Sequence, residues 1–428
     1  MNSSTSLPLR SGGLPAALRK SFLSLEQPWF AAFFAGLFYL FIAMTVGVPW
    51  RVSHSPYYNL LADAFLHGQL HLRILPEITR DISLFEGNYY LYWGPLPALL
   101  AMPLVALFGP YVSDVMQTLV VGSLNAGLFA LLLRHVDRSG FIPLTPGQRA
   151  WLVLFFALGT PVTPLPAVGR VWELNSLLSV TCALGAYLAV FSYKGRKAFV
   201  LAGLGVAGIM LTRISGIFSA VFLAAYLLKT HWPEGRRSLI VNSLAGLAPV
   251  MVTLALIGLY NFLRFGHALD NGFGYQLWGD HFYNLYQQYG AFHPVFIAPN
   301  FYVNYIQYPF SFQPFNVSGW GGSLFLLSPL FFAMFSALWQ GRKQLYVWAL
   351  FVSVLLGSIM LLLLFGPGTF QFGLRYALDF ILPMILLTAA GMRRWPGWLT
   401  AAAVILSVLH FLVGSIMFAH AVSRAVVQ

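Results

Sequence analysis

Long apolar stretches, broken by short polar and basic segments, dominate the chain. The first, Trp29–Val48, is about 20 residues, enough for a helix to cross roughly 30 Å of hydrocarbon. Further candidate spans are Val115–Leu133, Ala150–Leu165, Ser176–Ser192, Ala198–Leu211, Ile214–Leu228, Leu239–Tyr260, Leu324–Trp339, Leu345–Phe365, Leu378–Gly391 and Trp398–Ala419. These runs are continuous instead of alternating, which excludes a β-barrel. The expected fold is all-α: a polytopic membrane protein of about eleven transmembrane helices with outer-leaflet juxtamembrane helices. Residues 1–28 are expected to form a cytoplasmic N-terminal tail. Residues 29–428 are expected to form a single transmembrane domain.

Composition sharpens this reading. Of 428 residues, 58% are hydrophobic and only 8% are charged, too few to hydrate the surface of a soluble fold. A cytosolic enzyme, a disordered chain and a nucleic-acid-binding domain are thereby excluded. The net charge of +12 is mostly an orientation signal. Basic clusters such as Arg19-Lys20, Arg134/Arg138/Arg149, Arg196-Lys197, Arg236-Arg237, Arg342-Lys343 and Arg393-Arg394 fall on one side, read as cytoplasmic. The acids Glu26, Asp137 and Glu234 share that side, and the rest lie opposite. The pattern closes only if Pro95–Phe108 lies in the outer leaflet without crossing. It puts the N-terminus in the cytoplasm and the C-terminus outside a plasma (inner) membrane. The single cysteine, Cys182, sits in an apolar run and forms no disulfide framework.

Basic clusters flank both ends of Ala198–Leu228, so this segment must be a hairpin. Each arm has about 14 residues, or roughly 21 Å at 1.5 Å per residue. The tip around Arg213 should therefore sit recessed. An arginine there is costly unless it lines a polar cavity or meets an anion, although it can also snorkel to the interface.

Two outer loops are long. The first, residues 49–114, carries Asp63, Glu77, Asp81 and Glu86 with His54, His67 and His71. Within it, Tyr57–Leu72 has helical spacing of apolar residues (Leu61, Phe65, Leu72) and reads as an amphipathic interfacial helix. His67 and His71, at i and i+4, have metal-ligand spacing, but no third ligand is identifiable and no metal site is assigned. The second, residues 261–323, holds 17 aromatics and no Lys or Arg between Phe273 and Trp320. It reads as an interfacial lid, a sugar-stacking surface, or both. No phosphate-binding glycine loop, nucleophile elbow or zinc-protease motif is present.

Taken together, these segments resemble the GT-C superfamily of integral-membrane glycosyltransferases, which includes the protein O-mannosyltransferases and lipid A aminoarabinose transferases. The resemblance rests on an acid-bearing first outer loop followed by Gly94-Pro95-Leu96-Pro97, the Leu211-Thr212-Arg213 tip, Tyr260–Gly266, and Gly373-Leu374-Arg375-Tyr376. It spans roughly residues 29–395. It departs where the family carries an acidic pair four residues before a tyrosine: here His54 and Ser55 precede Tyr58. Gly94 replaces a lysine or aromatic residue, and Leu96 interrupts a proline pair.

The resemblance implies inverting transfer of a sugar from a polyprenyl-phosphate carrier to a glycan, lipid or protein acceptor at the outer face. Membrane lipids are the surrounding partners, and no nucleic acid is expected. On this reading the catalytic base is His54, Asp63 or Asp81. Arg375, Arg213, Arg264 and Arg170 are the candidates for the leaving phosphate, for which a guanidinium offers a bidentate fork. Glu173 would position the acceptor or pair with Arg170, and Tyr58 belongs to the substrate site. A transporter or flippase for a lipid-linked substrate, or a catalytically silent subunit of a membrane complex, is the alternative.

Overall fold

The computed structural model describes residues 16–424 except Val48, Pro314, Pro367 and Thr369. Residues 1–15 of the expected tail therefore lie outside the described residues.

Helix α1 (Ala16–Ser24) rests on the bundle, with the Phe22 ring 4.6 Å from Trp151. The first span, α2 (Pro28–Thr45), packs on α5. The first long loop folds into α3 (Tyr57–Leu66), a hairpin of β1 (Ile82–Phe85) and β2 (Asn88–Leu91), and α4 (Leu96–Phe108). Next, α5 (Asp114–Arg138) starts at Ser113, whose hydroxyl accepts the Met116 N–H. A capping box between Thr145 and Gln148 opens α6 (Pro146–Leu158). The long α7 (Val171–Ser192) is mostly buried.

Two arms form the predicted hairpin. These are α8 (Gly195–Met210) and a 3₁₀ turn, Ile214–Ser219, leading into α9 (Ala220–His231). The 30-residue α10 (Arg236–Phe265) crosses α8 where two glycines meet. A Cβ on Gly203 would stand 2.0 Å from the Gly246 carbonyl oxygen, so only glycine permits this approach.

The second loop contains α11 (Asp280–Tyr289), α12 (Ile297–Phe301), a π-helical turn and the antiparallel pair β3 (Phe310–Phe312) and β4 (Phe315–Val317). After β5 (Trp320–Gly321) come α13 (Leu324–Leu327), α14 (Ala333–Gln340) and α15 (Leu345–Leu363). Strand β6 (Gln371–Phe372) pairs in parallel with β5, tying the second loop to the Arg375 segment. A 3₁₀ turn, Arg375–Phe380, leads into α16 (Ile381–Met392), and α17 (Gly397–Arg424) closes the bundle.

Every predicted span contains helix. Among the described residues, eight helices are long and apolar enough to cross a membrane. Three of the eleven expected spans fall short. α6 stops at Gly159, ahead of Pro161, Pro164 and Pro166. α8 is 16 residues long. Leu324–Trp339 is broken where Pro329, which lacks an N–H, interrupts the helical ladder. Three two-stranded sheets, all in loops, qualify the all-α expectation.

The first loop differs from its predicted form. Helix α3 ends at Leu66, since Gly68 takes a left-handed φ of 72°, and Tyr57–Ala64 are all buried. It is a packed element against α4, not an interfacial amphipath. By contrast, α4 has one buried face (Ala98, Ala101, Val105) and one exposed apolar face (Leu100, Leu107, Phe108). Its 13 residues span about 20 Å, too short to cross.

Candidate functional site

A cavity of about 1480 Å³ opens at one end of the bundle. Its walls come from the first loop (His54, Asp81), the start of α7 (Arg170, Trp172), the hairpin tip (Arg213), the end of α10 (Arg264), the second loop (Phe273, Gln276, Trp278) and Arg375. The helices reach it from a consistent direction. α8 begins beside Arg196 and Lys197 and ends near Arg213; α10 begins at Arg236 and ends near Arg264; the Arg375 segment leads into α16, which ends beside Arg393. Cavity and basic clusters thus occupy opposite ends of the same helices.

All four arginines anticipated for phosphate line this cavity, and three are almost fully buried. Arg213 makes a bidentate pair with Asp379, at 2.9 and 3.0 Å, and lies over the Tyr376 ring. Arg375 Nη1 donates to Glu173 Oε1 at 3.1 Å, while its buried Nε has no hydrogen-bond partner. Arg170 donates to the same Glu173 at 2.6 Å and stacks over Trp172. Arg264 donates to the carbonyls of Leu91 (2.6 Å) and Tyr260 (3.2 Å) and to Asn261 Oδ1 (2.8 Å). No carboxylate of the described residues lies within ion-pairing distance of it. Two arginines therefore share one glutamate and a third has no carboxylate; with Arg80 and Asp280, which also line the cavity, five arginines face four acids (Asp81, Glu173, Asp280, Asp379), so one positive charge is left over even with every acid ionised. A buried surplus of this kind is costly unless an anion offsets it.

The carboxylates divide. Asp81 lines the cavity, and Trp172 Nε1 donates to its Oδ2 at 3.0 Å. Burial lifts its carboxyl above the usual carboxylate range, against the opposing pull of the Trp172 N–H, Arg375 and Arg80. Asp81 also has a left-handed backbone, φ 61°, as does Phe370 (φ 52°), whose carbonyl accepts from Arg170 across the cavity rim. Non-glycine residues held there store strain, which clusters at functional sites.

Asp63 is not at the cavity. It pairs with Arg73 at 3.0 Å, within hydrogen-bond reach of its own loop only. Glu173 is wholly buried behind the wall and bridges two arginines, so it presents no oxygen to an acceptor. His54 does line the cavity, but its Nδ1 is engaged by the exposed Glu77 at 2.6 Å. Tyr58 is buried on α3 with an unpartnered hydroxyl and is not among the lining residues. His67 and His71 are separated by the helix end at Gly68, and His71 instead meets the Tyr90 ring. No group of three or more metal-ligating side chains occurs among the described residues.

The two long loops are spliced by backbone bonds. Asp81 N–H donates to Leu277 O at 3.2 Å, and Leu277 N–H donates to Ile82 O at 2.9 Å. Ser83 Oγ donates to Gly272 O. On the other side, the tip is held through Gly94. A Cβ at Gly94 would lie 2.1 Å from the Leu211 carbonyl oxygen, which itself accepts the Leu96 N–H. Sequence reading missed Asp379 as the partner of Arg213, and it missed Gln276 and Trp172. The spacing of Arg375 and Asp379, one helical turn, points to each other as partners, yet each pairs elsewhere.

Fold and site together define a polytopic α-helical membrane protein whose scarce charged residues converge on one cavity with a cationic surplus. No protein-family model matches the sequence, and no curated protein sequence matches it. Among solved structures, the chain is similar to the apo oligosaccharyltransferase of Archaeoglobus fulgidus, with TM-score 0.45 and 13% identity over 92% of this chain and 55% of that one. It is also similar to AglB, the archaeal oligosaccharyltransferase of the same organism, solved in complex with an inhibitory peptide and a dolichol-phosphate (TM-score 0.44, 13% identity, 92% and 56% coverage). The chain spans little more than half the length of these structures.

Proposed function

We propose that the protein is a membrane glycosyltransferase that moves a sugar from a polyprenyl-phosphate carrier to an acceptor hydroxyl. The observation that carries this reading is the juxtaposition of surplus arginine charge, at Arg264 and Arg375, with the strained, buried carboxylate Asp81 in one cavity. The arginines suit a lipid phosphate, before and after it leaves. Asp81, with its raised affinity for protons, suits the base.

In the inverting step, the acceptor oxygen bonds to the anomeric carbon from the face opposite the phosphate. The bond from that carbon to the phosphate oxygen breaks, and its electron pair leaves with the lipid phosphate. The hydroxyl proton passes to Asp81. The positive-inside rule favours a cytoplasmic place for the basic helix ends, which supports a cavity on the outer side of a plasma membrane.

The residues lining this cavity include none of Arg134, Arg149, Lys197, Arg237, Lys343 or Arg394 at the other end, and an alternating-access transporter would show the same in an outward-open state. What favours the transferase is the carboxylate Asp81 among the arginines. The test is release of polyprenyl phosphate from a synthetic polyprenyl-phosphate sugar by purified protein. Arg375→Ala is expected to abolish release. Normal turnover in that variant removes Arg375 from the site, and no release by the wild type with any acceptor overturns the reading.

A further inference from the structure

The side of the cavity formed by the second loop has a different chemistry from the arginine side. Phe273, Trp278 and Phe282 line it, joined by Phe365 from the segment after α15, and they brace one another. Trp278 lies 5.4 Å from Phe273 and 5.2 Å from Phe365, mostly edge to face. Tyr286 backs the group, 4.6 Å from Trp278. Such mutual packing fixes ring orientation at little entropic cost. The aromatic loop carries no Lys or Arg between Phe273 and Trp320; its one acid there, Asp280, is exposed and lines the cavity with His281.

Gln276 adds a directional group. It lines the cavity at 6% exposure, and its Oε1 accepts from Trp278 Nε1 at 3.1 Å. Because the indole can only donate, the amide oxygen must face it. The other end of the amide, Nε2, is then a donor, and it is buried with no partner. An unmade buried hydrogen bond is costly, so this N–H calls for an acceptor oxygen. Leu277, between Gln276 and Trp278, takes the Asp81 N–H, so this segment is joined to the Asp81 backbone and lines the same cavity.

We infer that Phe273, Gln276 and Trp278 form the acceptor subsite, and that the acceptor is a neutral carbohydrate. A pyranose offers an apolar C–H face for the aromatic rings that line the cavity, and hydroxyl oxygens for the unpartnered Gln276 N–H, which lies closed off at the cavity wall and would be engaged on binding. Neither feature selects for the charges of a peptide. This inference rests on the transferase reading for its meaning, but its test does not need turnover.

Saturation-transfer NMR on the full-length protein in detergent, with cellotriose as the neutral saccharide and a Ser/Thr-rich hexapeptide as competitor, reads binding directly. Cellotriose is expected to receive saturation and the hexapeptide not to displace it. Trp278→Ala is expected to weaken binding by about tenfold, as loss of a stacking ring does, and Trp278→Phe to restore most of it. Gln276→Glu keeps an acceptor for the Trp278 indole but removes the free donor, and is expected to weaken binding by about fivefold. Absence of saccharide binding, displacement by the hexapeptide, or affinity unchanged in both Trp278→Ala and Gln276→Glu overturns the inference. Stabilisation of the protein by polyprenyl phosphate, measured separately, reports on the donor side without needing an acceptor.

Discussion

Arg213 and Asp379 stand 166 residues apart in sequence, yet they form a bidentate pair, both almost fully buried beside the cavity. The pair links the hairpin tip to the turn that carries Arg375. Removing one partner strands the other charge in a low-dielectric setting. Asp379→Asn is expected to destabilise the protein by about 3–5 kcal/mol, while the double change Arg213→Met with Asp379→Leu should recover most of that loss. Thermal unfolding in detergent measures both, and equal stability of the single variant and the wild type would contradict the pairing.

Arg264 leads to a ligand prediction. Of its five N–H donors, the three to Leu91, Tyr260 and Asn261 are spent on neutral groups. An anion in the cavity would meet uncompensated charge. Polyprenyl phosphate at 100 times its dissociation constant is expected to stabilise the wild type by about 2.7 kcal/mol. Arg264→Met is expected to lose a charge-assisted bond of about 1.5–3 kcal/mol and with it most of that shift. A full ligand-induced shift in the variant would place the anion elsewhere.

Asp81 sets a pH dependence whose sign can be worked out. Its folded carboxyl binds protons more tightly than the same group in the unfolded chain. As pH rises between the two pKa values, the folded state holds more protons than the unfolded one, so stability falls. Above the folded value the whole penalty is present. Asp81→Asn is therefore expected to be more stable than wild type at neutral pH, with the difference vanishing in acid. Melting temperatures across pH check this. The same variant is expected to bind polyprenyl phosphate but not transfer sugar. In the wild type, the acid limb of the rate profile is expected above the ordinary aspartate value of about 3.9.

Gly94 is a steric prediction. A side chain there collides with the Leu211 carbonyl at the base of the Arg213 tip. Gly94→Ala is expected to cost about 1–3 kcal/mol, as overpacking does, and to lower turnover by shifting Arg213. Unchanged stability and rate would show that the tip tolerates displacement.

Much of the bundle was legible because apolar length and the sidedness of Lys and Arg report directly on crossing and direction. The recessed Arg213 followed from arm length alone. What sequence could not show was where loops are cut. The helix predicted over Tyr57–Leu72 ends early because one glycine, Gly68, turns left-handed. Leu324–Trp339 is apolar throughout, but apolarity does not reveal that Pro329 divides it. At the site, side-chain type pointed to Arg213, Arg264 and Arg375. Partner choice depends on packing across more than a hundred residues, and no local spacing encodes it. Asp81 and Asp63 look alike in sequence, and only the backbone splice to Leu277 separates the one at the cavity from the one bound to Arg73. Gly94 also acquires a reason only when Leu211 is seen against it.

The bonds between Leu277 and the residues 81 and 82 have a wider consequence. On the proposed reading they tie Asp81 and the Gln276–Trp278 surface to one junction, built where the first and second long loops meet. A substitution that reshapes one side would shift the other, coupling preference for the incoming molecule to reactivity toward it.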